Sequence, residues 1–214
     1  MDKKIKGSVD VWLDAAFDLL IEGGVEAVKI MPLARRLAMT RTGFYYHFKD
    51  RNALLDALIV RWEAKNTGNL IAQANAHAAT VTEAILNLFE CWVNADLFDS
   101  RLDLAIRNWA RTDEKLQRKL DRSDQARLKA VMDIFLRFDF APEDAQVRSM
   151  TILYTQIGYI SMHVQEDLQQ RLNRMPEYAA IYTGQRPAEA EFAKFQRKLA
   201  SSMAENGNLK IPVK

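Results

Sequence analysis

The sequence predicts an all-α protein, and three observations carry that prediction. Only 8 Gly and 5 Pro interrupt the 214 residues, and the intervals between them are rich in Ala, Leu, Arg, Gln and Glu. Apolar residues recur at helical spacing from the first segment onward. No convincing run alternates apolar and polar residues as a half-buried strand would. Hydrophobic residues make up 49% of the chain, enough to bury a sizeable core.

The elements follow in order. In residues 8–22, Val9, Trp12, Leu13, Ala16, Phe17 and Leu20 fall on one helical face, with Ser8 placed as an N-cap and Gly23-Gly24 as a stop. A short second helix is predicted over residues 32–37, where Pro32 suits a first turn whose N–H has no helical partner. Thr40 is placed to cap a third short helix, Arg41-Thr42-Gly43-Phe44-Tyr45-Tyr46-His47-Phe48. Asp50 is placed to cap a longer helix that carries Ala53, Leu54, Ala57, Leu58 and Trp62 to about Leu70. Two short helices between longer ones are the pattern of a helix-turn-helix. Further helices are predicted at 82–95, 101–111, 113–137, 142–171 and 187–204, with loops at 139–142 and 173–184. The chain thus divides into a three-helix helix-turn-helix domain at 1–52, a larger helical bundle at 53–204 and a frayed tail at 205–214.

The overall charge of +2 says nothing about partners, but its local distribution does. Between residues 29 and 51 stand Lys29, Arg35, Arg36, Arg41, Lys49 and Arg51 against Asp50 alone, a local excess of five positive charges. A charge run by itself is more often a solvated helix face. Here it flanks a helix that starts Thr-Arg-Thr-Gly, small enough to let backbone approach phosphates and base edges, so duplex DNA is the expected partner. Phe44 and Phe48, four apart, are expected in the core; Tyr45 fits core with its hydroxyl reaching a phosphate.

These residues resemble the DNA-binding domain of the tetracycline-repressor (TetR) family. The resemblance rests on Leu33-Ala34, on Thr40 through Phe48, and on Lys49-Asp50-Arg51 ahead of Ala53-Leu54-Leu55, and it spans residues 8–60. Ile106-Arg107-Asn108-Trp109-Ala110 and Asp124-Gln125-Ala126-Arg127 resemble segments of one branch of that family. The resemblance implies a ligand-responsive repressor that binds a near-palindromic operator. By position, it implies that Thr40 caps the recognition helix and contacts a phosphate, and that Arg41, Thr42 and Gly43 face the major groove. Arg41 is the candidate for a bidentate guanine contact. Tyr45, Tyr46 and His47 would meet backbone or base edges, Lys49 and Arg51 would hold phosphate, and Lys29 would lie beside the other strand. Two positions depart from the family pattern: Ala38 stands where the turn usually has glycine, and Ile30-Met31-Pro32 offers no Ser, Thr or Asp cap.

The C-terminal region suggests a ligand cavity within residues 80–170 for an unidentified small-molecule effector. Phe89, Trp92, Trp109, Met132, Phe135, Met150, Tyr154 and Tyr159 suit either ordinary bundle core or such a cavity, and the expected lining is Phe89, Trp92, Arg107, Trp109, Met150 and Tyr154. Arg107 either pairs internally with Asp103, Asp113 or Asp124, or meets an acidic ligand. His163 and Asp167 are spaced as a surface pair. A two-fold homodimer is expected through the last two long helices, because residues 149–162 are apolar around much of their circumference. Ile157, Gly158, Phe192, Phe195 and Leu199 are the expected contacts; the family resemblance implies the same pairing.

Enzymatic, cofactor and metal chemistry are not expected. The three histidines, His47, His77 and His163, follow Phe44, Ala74 and Ile160 by three, so no Glu-x-x-His pair exists. There is no Gly-rich phosphate loop, and Cys91 alone reads as a buried small hydrophobe in a reducing compartment. No apolar stretch approaches the ~20 residues of a membrane span, and no signal-type apolar region follows Met1-Asp2-Lys3-Lys4, so the expected location is the cytoplasm.

Overall fold

The computed structural model describes residues 8–205, with side chains through residue 202. The predicted frayed tail lies outside the described residues beyond Glu205. Among the described residues every regular element is helical. They form two compact units: residues up to Lys65 together with Asp99–Ser123, and Asn66–Phe98 together with residues from Asp124 on. The first unit therefore runs past the expected boundary at residue 52 and is discontinuous in sequence.

The first unit opens with α1 (Val9–Gly23), preceded by extended Ser8 and closed by Gly24 at φ 71°, whose N–H bonds the Leu20 carbonyl at 2.9 Å. A 3-10 turn (Val25–Ala27) leads to α2 (Ile30–Arg36), which starts two residues before Pro32 and has no side-chain cap at Lys29. Then follow α3 (Arg41–His47), α4 (Arg51–Trp62) and α7 (Ser100–Ala110), with α7 packed on α1 and α4. Trp12, Leu20, Leu33, Phe44, Leu54, Leu58, Trp62 and Ile106 are all buried in one cluster. Each contributes about 1.5–3 kcal/mol by leaving water, which is what holds three helices too short to be stable alone. α7 belongs to this unit because its apolar face, Leu102, Ile106 and Trp109, completes that cluster. Asp103, 1% exposed, accepts from Trp62 Nε1 at 3.0 Å and from Arg107 Nε at 2.9 Å. Arg107 thus takes the internal alternative.

The helix expected to run from Asp50 to about Leu70 is not continuous: α4 passes through a π-helical turn (Glu63–Gly68) into α5 (Asn69–Ala74). The second unit contains α5, α6 (Val81–Val93), most of α8 (Glu114–Arg137), α9 (Pro142–Ser161), α10 (Leu168–Thr183) and α11 (Glu189–Glu205). α6 is buried on nearly every side, as a central helix must be when α5, α10 and α11 all pack on it. α11 is fixed to α6 by polar ties around an apolar seam. Glu191 accepts from the Thr80 and Thr82 hydroxyls at 2.6 and 2.9 Å, and Lys194 and Lys198 pair with Glu83 and Glu90 at 2.6 Å each. Phe195 and Leu199 fill the seam, 5% and 2% exposed.

The chain also departs from expectation between residues 162 and 184. The predicted helix 142–171 ends at Ser161, because His163 turns left-handed at φ 51°. Asp167 does not pair with His163; it caps α10, accepting from Gln170 N at 2.8 Å. The expected loop 173–184 is helix as far as Thr183, with Pro176 inside it and Gly184 at φ 78° closing it.

Candidate functional site

α3 is a seven-residue helix anchored from one side. Phe44 is completely buried, edge-on to Trp12 with ring centroids 5.5 Å apart, and Phe48 packs on it at 5.4 Å. Residues that precede and alternate with these anchors must face outward. Thr40 caps the helix by accepting from Gly43 N at 3.1 Å, and Asp50 caps α4 by accepting from Ala53 N at 2.8 Å. Arg41, Thr42, Tyr45 and Lys49 are exposed, Tyr46 is 85% exposed, and His47 is half-buried with its ring edge-on to Tyr46. The Arg41 guanidinium lies over the Tyr45 ring at 5.4 Å and donates to its hydroxyl at 3.0 Å. That pairing holds a long flexible side chain across the exposed face of α3.

The turn into α3 uses Ala38 in the left-handed region, φ 51°. Met39 N donates to the Ala34 carbonyl at 2.8 Å and Ala38 N to the Arg35 carbonyl at 3.1 Å. This is the double bond that ends a helix and reverses the chain, made here without glycine.

Two of the six clustered cations are engaged within the fold. Arg36 forks onto Glu22 through two bonds of 2.7 Å and lies 3.6 Å from Asp18; its hydrogen bonds hold the Glu22 carboxyl below its ordinary pKa. Arg51 donates to the carbonyls of Val28 and Val25 at 2.6 and 2.5 Å, strapping α4 to the 3-10 turn. Arg51 is therefore held as a strut by backbone rather than standing out as Lys49 does. Lys29, Arg35, Arg41 and Lys49 remain exposed on the surface around α3.

The expected cavity residues are dispersed. Phe89 and Trp92 line a cavity in the second unit, with Ile152, Thr155, Gln156 and Tyr159 of α9 and Arg171, Met175, Tyr178 and Tyr182 of α10. Met150 and Tyr154 do not line it, and Tyr154 is instead 55% exposed. Arg107 and Trp109 belong to the first unit, where Trp109 lines a groove with Leu55, Ile59 and Leu116. The free volume of the cavity is about 40 Å3, room for only a few waters. Arg171, Glu166 and Arg174, which supply the charge at this cavity, lie where the sequence reads as helix end and loop.

The expected dimer contacts are likewise divided. Phe195 and Leu199 are covered by their own chain, while Ile157, Gly158 and Phe192 are half-buried. Among the exposed large apolar side chains, Val147, Tyr154 and Ile181, the last 70% exposed, sit on α9 and α10, helices packed on one another. No group of three or more His, Cys, Asp or Glu placed to hold a metal occurs among the described residues. No helix among them is long and apolar enough to cross a membrane.

A helix-turn-helix held on its inner face and presenting Arg41, Thr42 and Tyr46 on its outer face defines an all-helical protein with an N-terminal DNA-binding domain. Residues 13–58 match the family model described as bacterial regulatory proteins, tetR family, about a fifth of the chain's 214 residues. It is 39% identical over 61 residues to the tetracycline repressor protein class A from transposon 1721 of Escherichia coli, covering 28% of each chain. Over 54 residues it is 39% identical to the class D tetracycline repressor protein of Escherichia coli, covering 25% of each. The matched part spans about a quarter of the length of these curated relatives. Among solved structures, the fatty acid degradation regulator FadR from Bacillus halodurans superposes with a TM-score of 0.62 at 17% identity, over 84% of this chain and 100% of that one. Salmonella enterica GusR superposes with a TM-score of 0.58 at 14% identity, over 99% of both. These likenesses show the same all-helical fold along nearly the whole chain.

Proposed function

We propose that the chain is a DNA-binding transcriptional regulator, a ligand-responsive repressor that acts in the cytoplasm as a homodimer on a near-palindromic operator. One observation carries the reading: Phe44 and Phe48 pin α3 from inside while Arg41, Thr42 and Tyr46 project from its outer face beside Lys29, Arg35 and Lys49. A helix so mounted can enter the major groove without losing its own packing. In this reading Arg41 reads a guanine edge, Thr42 and Gly43 let the backbone approach, and Tyr45, Tyr46 and His47 meet sugar, phosphate or base edges. Thr40, Lys29 and Lys49 bind phosphate, with Arg51 bracing the start of α4 behind them. The curated relatives are named repressors, which supports that sense of regulation.

Two-fold pairing is assigned to α9 and α10, through Val147, Tyr154 and Ile181 with Ile157 and Gly158 beside them. A lone helix-turn-helix makes too few contacts for tight, specific binding, and two-fold operators are matched by two-fold proteins. The effector occupies the cavity behind Phe89 and Trp92 and acts by binding a conformer of lower DNA affinity more tightly. Fluorescence anisotropy on labelled duplexes tests the DNA reading. Affinity should fall with salt at a log–log slope of about −0.9 per phosphate neutralised. A protein showing no preference among duplex sequences in low salt overturns the proposal.

A further inference from the structure

The cavity between α6, α9 and α10 has an uneven charge arrangement. Three charged side chains line it: Glu166, Arg171 and Arg174. Two of them satisfy each other, because Arg174 Nη1 is tied directly to Glu166 Oε1, and Glu166 Oε2 also accepts from the Tyr159 hydroxyl at 2.8 Å. The carboxylate is thus used on both oxygens. Arg171 is different. Its guanidinium lies 4.6 Å over the Tyr159 ring, and among the described residues it has no hydrogen bond or ion pair. Burial pushes its pKa down against the pull of Tyr159 and Glu166, the mark of a cation partly stripped of water. Within the same cavity the Trp92 indole N–H is buried and has no acceptor. A buried donor left unmade is costly, and a desolvated guanidinium presents a planar fork suited to a carboxylate.

Aromatic rings form the rest of the wall. Phe89 lies 5.6 Å from Trp92 and 6.3 Å from Tyr182, and Tyr182 stacks on Tyr178 at 5.9 Å. The space as it stands holds only a few waters, so a ring enters only as the wall opens, and Tyr178, 37% exposed, is the most exposed of the aromatic side chains in that wall.

We propose that this cavity takes a small aromatic monocarboxylate, its anion held by Arg171 and its ring by the Phe89, Tyr178 and Tyr182 walls. This assignment deepens the effector reading given above and rests on it only for the consequence at DNA. One net positive charge remains in the lining once Glu166 and Arg174 cancel, which a monoanion neutralises and a dianion overshoots. A cationic guest would face Arg171 with no free carboxylate to meet it.

Calorimetric titration of the full chain with benzoate, phenylacetate and salicylate, each beside its neutral amide, tests the assignment. At least one acid should bind ten-fold or more tightly than its amide. Arg171→Gln should bring that acid to the level of its amide, while Arg171→Lys, which keeps the charge and loses the fork, should fall between. Melting curves of both variants establish that they fold; if Arg171→Gln does not, the acid–amide ratio and the Lys variant decide alone. Acid and amide binding alike, no binding by any of the three acids, or binding indifferent to Arg171 overturns the proposal. The operator gives a separate readout. Arg171-dependent acid binding that leaves operator affinity unchanged keeps this site and removes the effector role. Release of the operator by a neutral molecule, equally in Arg171→Gln, keeps the effector role and removes this assignment.

Discussion

Ala38→Gly should stabilise the protein, and the expected size follows from one dihedral angle. Ala38 sits at φ 51° in the short connection, residues 37–40, between α2 and α3, the two short helices of the helix-turn-helix. A side chain with a Cβ in that region costs about 1–2 kcal/mol, because the Cβ crowds the following carbonyl. Glycine escapes the crowding, but its freer unfolded chain returns about 0.4–1 kcal/mol. Ala38 is exposed, so removing its methyl loses no packing. The two bonds of the turn, from Met39 N and Ala38 N, use backbone only and survive. The net expected gain is about 0.5–1 kcal/mol, or roughly 1–4 °C in Tm for a chain of this size. Asp139 at φ 61° and His163 at φ 51° supply controls. They end α8 and α9 with the same pair of backbone bonds, Phe140 N to Phe135 O at 3.2 Å and Val164 N to Tyr159 O at 3.3 Å. Asp and His tolerate this conformation better than Ala, so glycine there should yield less. Urea unfolding at unchanged slope measures all three. A lower midpoint for Ala38→Gly, or a gain no greater than that of Asp139→Gly, refutes the reasoning.

Other expectations concern the surface, the pairing face and the lone thiol. Arg41→Ala should cost ~1–3 kcal/mol of operator binding and relax preference at one base position per half-site, whereas Lys49→Ala should weaken all duplexes alike; competition binding against single-base operator variants separates the two. Ile181→Glu should turn a dimer into a folded monomer by light scattering, while Phe195→Glu, which buries a charge in the α6–α11 seam, should lower the melting temperature instead. A dimer that survives Ile181→Glu and Tyr154→Glu together would place the interface elsewhere. Cys91, its pKa pushed up to about 12 chiefly by burial and then by neighbouring Glu90, should stay unreactive to a disulfide reagent at pH 8 and react only on unfolding; fast reaction in the folded state would contradict its environment.

The helices written by apolar period were legible: α1, α3 and α6 start at Val9, Arg41 and Val81, within a residue of their expected positions. What could not be read was the end of α9. Ala38 and Asp139 also turn left-handed, yet α2 and α8 end within a residue of their expected positions. Nothing in the His163 side chain marks a stop, so the expected helix ran on to residue 171 and most of α10 was read as a loop. Pro176 misled in the opposite sense, because tertiary packing of Leu172, Met175 and Ala179 keeps α10 helical across it. The exposed face of α3 was legible because the helix is short and its core side is marked by two phenylalanines. The cavity was legible only on α6, through Phe89 and Trp92; its charged end falls in the misread segment. Phe195 and Leu199 show a further limit of periodicity. A stripe at i and i+4 states that a face is covered, and leaves open whether the cover is the chain's own α6 or a second copy.

Selection of bound sequences from a random duplex pool, with the native chain and with Arg41→Ala in parallel, tests the central claim most directly. The native chain should enrich an inverted repeat whose half-sites lie about 10 base pairs apart or a multiple of that, one contact face per helical turn. Arg41→Ala should enrich the same repeat with one position per half-site relaxed. A pool that converges on no motif, or a motif unchanged by the loss of Arg41, would contradict the assignment of α3 as the element that reads DNA.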